Sequence, residues 1–73
     1  MNTVSHVYKI LEVVGSSTLS SDDAIRNAIA TASVSVKNLN WYEVVEHRGH
    51  INDGEIGHFQ VTVRIGFRLD DKE

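Results

Sequence analysis

From Phe59 to Leu69 the chain alternates with almost no fault. Phe59, Val61, Val63, Ile65, Phe67 and Leu69 take one side, and His58, Gln60, Thr62, Arg64, Gly66 and Arg68 take the other. A period of two predicts a strand with one face on a core and the other left polar. A second strand is predicted from Trp41 to Ile51 and joins the last, Ile56 to Leu69, at NDG; Asp-Gly between two such runs is a strong hairpin signal. The first segment, HVYKILEVVG, predicts a strand of about eight residues ending at Gly15, and its imperfect alternation predicts a face only partly covered. SSTLSS follows as a loop by composition. Between them, Ala24, Ile25, Ala28, Ile29, Ala32, Val36 and Leu39 recur at spacings of three and four, the stripe of an amphipathic helix running to about Asn38. Ser20 and Asp23 have capping-box spacing, Asp22 and Asp23 suit the positive end of the dipole, and Asn38 or Asn40 suits the helix end.

The order strand, helix, strand, strand predicts an α+β fold. Strands one and two lie parallel with strand three antiparallel between them, giving a three-stranded antiparallel-type sheet wrapped on one helix, its second face unusually polar. A two-residue turn at Asp53-Gly54 pairs Asn52 with Glu55. It then sets Tyr42 opposite Ile65 and Val44 opposite Val63 on the core face. On the other face it sets Trp41 opposite Gly66, Glu43 opposite Arg64, Val45 opposite Thr62 and His47 opposite Gln60. This register leaves Arg48 on the face away from Gln60, unless a bulge intervenes.

Size and charge narrow the picture. The chain has 73 residues, one domain over 1–73, with no linker, repeat or low-complexity tract. A chain of this length buries only roughly 60% of its unfolded surface, so it needs reinforcement. With no cysteine, disulfides and thiolate metal sites are excluded, and oligomerisation is the remedy left. A net charge of −3 argues against a general nucleic-acid binder. No stretch has the length of a membrane span or the apolar core of a signal peptide, so the expectation is a soluble, cytoplasmic protein that engages no membrane. The closing DDKE reads as a solvated tail.

The candidate chemistry begins at Trp41, the single tryptophan, in NLNWY. The predicted register lays it over Gly66, whose missing side chain leaves room for a flat ring. Two readings stand: the indole fills a contact between subunits, or it is a stacking platform for a flat heteroaromatic ligand. Gln60 favours the second modestly, since a side-chain amide offers the donor and acceptor that match the edge of a ring such as isoalloxazine. The histidines His6, His47, His50 and His58 invite a metal reading. His47 and His50, three apart on a strand, face opposite ways, and no metal site is expected. Glu43 and Glu46 are likewise expected on opposite faces, a poor acid/base dyad. No Ser-His-Asp signature, Walker loop or GxGxxG occurs, so no enzyme is indicated. GSS after the first strand reads as a plain turn or a weak phosphate cradle.

The segments VYKILEVVGSS, NLNWYEVVEHRG and DGEIGHFQVTVRIGFRLDD closely resemble dodecins, small flavin-binding proteins of bacteria and archaea. The most specific parts are WYEV, the RG before the hairpin, FQV and the closing GFRL. The resemblance implies a β-α-β-β subunit in a hollow homo-dodecamer of cubic symmetry, with flavins in aromatic pockets across two-fold contacts. It implies a non-catalytic protein that stores flavin and quenches its excited state. FMN is the implied flavin, with riboflavin or FAD as alternatives and coenzyme A as a further ligand. Trp41 then matches the stacking tryptophan and Gln60 the flavin-edge glutamine, while Arg48 and Arg68 match arginines near the flavin and its phosphate. The alternatives are a shell whose pocket takes another nucleotide-like ligand such as coenzyme A, or a small flavin-dependent redox protein.

Overall fold

The computed structural model describes residues 6–69; the DDKE tail and the first five residues lie outside them. β1 (Tyr8–Ser17) leads into α1 (Ser21–Ser35), then β2 (Leu39–Asn52) and β3 (Glu55–Arg68). The sheet order is β1-β3-β2 and both pairings are antiparallel, so β1 and β2 run the same way on either side of β3, as the sequence predicts.

The helix starts where the serine spacing places it. Ser20 is the extended N-cap, and its Oγ accepts from the Asp23 N–H at 3.0 Å. The Asp23 carboxylate does not reach back to Ser20. It accepts from Ser17 Oγ at 2.7 Å, and Ser17 Oγ in turn accepts from the Leu19 N–H at 2.8 Å. Ser16 and Ser17 are therefore strand residues, paired with Gln60 and Phe59, where composition predicts a loop. β1 runs through Gly15 because this glycine is a contact and not a stop. A Cβ added there would lie 2.0 Å from the Ala24 carbonyl oxygen and 2.9 Å from Ala28 Cβ.

The helix ends at Ser35, short of the expected Asn38. Val36 still donates to the Ala32 carbonyl at 3.0 Å, but its own backbone is extended. Asn38 does take the left-handed conformation, φ 66°, one step into the turn that opens β2. What holds it there is β3: Asn38 O accepts from the Arg68 N–H at 3.1 Å, and Asn38 Nδ2 donates to the Arg68 carbonyl at 3.3 Å. The turn is thus fixed by pairing to the end of the sheet, which local helix signals do not record.

Ala24, Ala28, Val61, Val63 and Ile65 form the buried core, with Leu11, Val13, Ile25, Ile29, Ala32 and Leu39 packed around it. They lie between α1 and the β1–β3 pair, with Leu39 of β2 at the margin. β2 is left out: only Leu39 is sheltered, while Tyr42 is 50%, Val44 49% and Ile51 75% exposed. The radius of gyration is 15.6 Å, where a compact chain of this length has about 11 Å. The excess is the hairpin, an arm that extends the molecule to 60 Å.

At the tip, Asp53 (φ 55°) and Gly54 (φ 75°) are both left-handed, as a two-residue hairpin turn requires. From there the ladder departs from the predicted register. Asn52–Glu55 and Ile51–Ile56 pair as expected, then Gly57 is an extra residue and His50 meets His58. Arg48 now faces Gln60 and Glu46 faces Thr62, where the unbroken register predicts His47 and Val45. Val45 is the second extra residue, after which Val44–Val63, Glu43–Arg64, Tyr42–Ile65 and Trp41–Gly66 pair as predicted.

Gly15→Ala is expected to lower stability by about 1–3 kcal/mol or more, because the intruding Cβ meets backbone that has no rotamer with which to yield. Gly57→Ala, whose Cβ would find its nearest neighbour at 3.5 Å, is expected to shift stability by less than about 1 kcal/mol. Thermal melts of the two variants at equal concentration check the contrast.

Candidate functional site

The face of the sheet turned away from α1 carries every candidate residue. On β3 it presents His58, Gln60, Thr62, Arg64, Gly66 and Arg68, and the ladder places their β2 partners beside them. Its two ends differ in chemistry.

At one end Trp41 lies against Gly66. A Cβ on Gly66 would fall 2.2 Å from indole Cε2, 2.3 Å from Cζ2 and 2.7 Å from Nε1. The ring therefore rests directly on glycine backbone, and it keeps 39% of its surface exposed. Ile10 of β1, paired with Gly66 and exposed, extends this apolar floor. Arg68 is two residues further along β3. Its Nε is buried and has no hydrogen-bond partner among the described residues, an orphaned donor of the kind that native structures seldom leave.

At the other end Arg48 and Gln60 stand opposite each other. Arg48 Nε donates to Gln60 Oε1 at 3.3 Å, and Arg48 Nη1 lies 3.6 Å from Glu46 Oε1. The amide oxygen is thereby occupied while its Nε2 donors are not used by that bond. The sequence expectation that brings Arg48 to Gln60 only through a bulge is met by the bulges at Gly57 and Val45.

Between the ends, Arg64 bridges two carboxylates, Glu12 Oε1 and Glu43 Oε2, each at 3.6 Å. These groups are about half exposed, so each pair contributes well under about 1 kcal/mol, and their effect is to fill the middle of the face with charge. Gln60 and Gly66 are six positions apart on β3, about 20 Å at strand rise. The structure thus joins Arg48 to Gln60 and places Trp41 near Arg68, but it does not bring the two pairs together in one chain. They are two half-sites.

The Val45 bulge also overturns an expectation about the glutamates. Glu43 and Glu46 share this face, opposite Arg64 and Thr62, and not opposite faces as strict alternation predicts. Each is engaged with a different arginine, so the pair still makes no acid/base dyad. His47 beside Val61 and His50 beside His58 do face opposite ways. Among the described residues no three histidine or carboxylate side chains converge. Sequence reading overlooked Glu46 as the partner of Arg48, Glu12 as the second partner of Arg64, and Ile10 as floor. The adjacent valines Val44-Val45, which break the alternation of β2, were the available sign of the first.

Comparison with known proteins agrees with this architecture. The chain is 40% identical over 65 residues to dodecin of Thermus thermophilus, covering 89% of this chain and 94% of that one. Among solved structures, dodecin from Streptomyces davaonensis superposes with a TM-score of 0.88 at 51% identity, covering 93% of this chain and all of the other. Dodecin from Streptomyces coelicolor gives 0.89 at 43% identity, with 96% of this chain covered and again all of the other. The Dodecin family model matches residues 7–70. With the fold, the relatives and the family model in agreement along the chain, it belongs to the dodecin family.

Proposed function

We propose that the chain is the subunit of a homo-dodecameric shell that binds flavin, FMN foremost, between its copies and holds it without catalytic turnover. One observation carries the reading: the Trp41 indole lies directly against the bare backbone of Gly66 while 39% of the residue stays exposed. An indole so supported keeps surface on which a planar ligand can stack, and a tryptophan loses little conformational freedom in stacking.

The remaining residues fit a flavin in halves. Gln60 supplies an amide for the edge of the ring system, and Arg48 beside it supplies a charged fork. Arg68 supplies a buried donor with no partner among the described residues, suited to a phosphate or to an acceptor of another copy. Because the half-sites lie about 20 Å apart along the strand, one ring touches both only when a second chain brings its own half-site alongside. A need for neighbouring copies also agrees with β2, whose Tyr42, Val44 and Ile51 are exposed on the core side of the sheet, beyond the reach of α1. Assembly that covers these residues and flavin binding on the outer face both then require further copies of the chain. Bound flavin would supply a redox-active, light-absorbing ring, and an indole stacked on it would supply a nearby electron donor for quenching.

Light scattering at micromolar concentration is expected to return a dodecamer, and the melting temperature should fall on dilution; a stable monomer would refute the shell.

Trp41→Ala is expected to weaken FMN binding by roughly two to four powers of ten, if each stacked face contributes about what an aromatic contributes to a nucleobase. Gly66→Ala should weaken it too, because the new Cβ displaces the ring while the indole remains. Fluorescence titration with FMN checks both, and unchanged affinity in the two variants would remove the stacking role.

Arg48→Ala and Arg68→Ala are each expected to weaken FMN more than riboflavin, with a difference that shrinks as salt is raised, because contact with a partly exposed phosphate is screened. Gln60→Ala should weaken both flavins alike. Parallel titrations with FMN, riboflavin and coenzyme A decide which ligand the surface prefers.

A further inference from the structure

Beyond the half-sites, where β1 has ended at Ser17, the outer face carries two histidines in direct register. His50 and His58 are partners across the β2–β3 ladder, both exposed, with ring centroids 6.3 Å apart and planes at 66°. The extra residue Gly57 creates this meeting: without it His58 would stand opposite Gly49. We propose that His50 and His58 form a two-imidazole site for a borderline divalent transition ion, Cu2+, Ni2+ or Zn2+, whose remaining positions are held by water.

The geometry needs little adjustment. Metal–imidazole bonds of about 2.0–2.1 Å require the two coordinating nitrogens to come within roughly 3 Å of each other. Directly opposed residues of an antiparallel pair have Cβ atoms about 4.5–5.5 Å apart, so side-chain rotation alone closes the present ring separation and the backbone stays where it is. Both rings are exposed, so they turn without displacing any core residue. The ladder supplies the preorganisation: the second imidazole binds intramolecularly once the first has done so.

The chemistry of the donors selects the ion. Imidazole suits copper, nickel and zinc, whereas calcium and magnesium take oxygen ligands in larger number. The nearest cation on this face is Arg48, one pair along, and its guanidinium is already turned to Glu46 and Gln60. Toward the tip the charged groups are Asp53 and Glu55, both acidic, so the surroundings do not repel a divalent cation. The site uses neither Trp41 nor Arg68 and is independent of flavin.

The test is a Cu2+ titration of the full chain without flavin, with electron paramagnetic resonance to count the coordinating nitrogens. Two imidazole nitrogens per bound copper are expected. His50→Ala and His58→Ala should each lower affinity by about 10²-fold and reduce the count to one, with circular dichroism confirming that the fold persists. His47→Ala, on the opposite face beside Val61, should leave both readings unchanged. Affinity equal to that of the unsubstituted chain in His50→Ala and in a second variant, His50→Gln, would overturn the site, as would a single nitrogen in the unsubstituted chain.

Discussion

The structure turns on how closely a helix can approach a sheet when nothing stands between them. At Gly15 the strand has no side chain, and the helix answers with Ala24 and Ala28, so the backbone of α1 comes almost onto β1. A larger residue at any of the three would lift the helix and open the core to water. The same closeness limits what the helix can cover. A slim helix seated over β1 and β3 shelters Val61, Val63 and Ile65 and, beyond Leu39, leaves β2 exposed. The economy of the core and the exposure of the arm are one fact seen from two sides, and the exposed arm is why this chain is more extended than its length implies.

What the arm displays is decided by two inserted residues. On a strand, a slip of one position moves every later side chain to the other face. Gly57 inserted on β3 and Val45 inserted on β2 cancel over the length of the hairpin, so the predicted pairs return at Val44–Val63 and hold to Trp41–Gly66. Between the bulges the faces are exchanged, and this is the stretch that holds Glu46, Arg48 and His50 on the outer side. The local chemistry of that face is thus a product of backbone irregularity, with Arg48 reaching Gln60 because the ladder is imperfect.

This explains which parts were legible in the sequence. The helix start at Ser20 and the Asp53-Gly54 turn follow from local rules, because each is settled by a few neighbouring residues. The strand order follows from the order of elements, and the seat of Trp41 on Gly66 agrees with the turn's register because the two bulges cancel before reaching it. Helix signals carry α1 on to Asn38 because they do not record that Asn38 is held by Arg68, distant in sequence. Composition predicts a loop at Ser16 and Ser17 because it says nothing of the Asp23 carboxylate that accepts from Ser17. Strict alternation put Glu46 away from Glu43 because a bulge between adjacent valines leaves only a faint trace in composition. The roles of Arg48 and Arg68 came from the family likeness, since no spacing rule distinguishes them from other surface arginines.

The distribution of charge along the outer face gives the two arginines different standing. In the middle, Arg64 is flanked by two carboxylates, so the centre of the face is negative on balance and disfavours an anionic group. Arg48 at one end already faces Glu46, so an anion arriving there competes with a resident carboxylate. Arg68 at the other end carries no ion pair among the described residues, and its Nε is desolvated without a partner. Satisfying a buried unpaired donor recovers a cost the chain already bears, whereas recruiting Arg48 means first releasing Glu46. Under the proposed reading a ligand phosphate therefore gains more from Arg68, beside the stacking ring, than from Arg48, which has first to let go of Glu46.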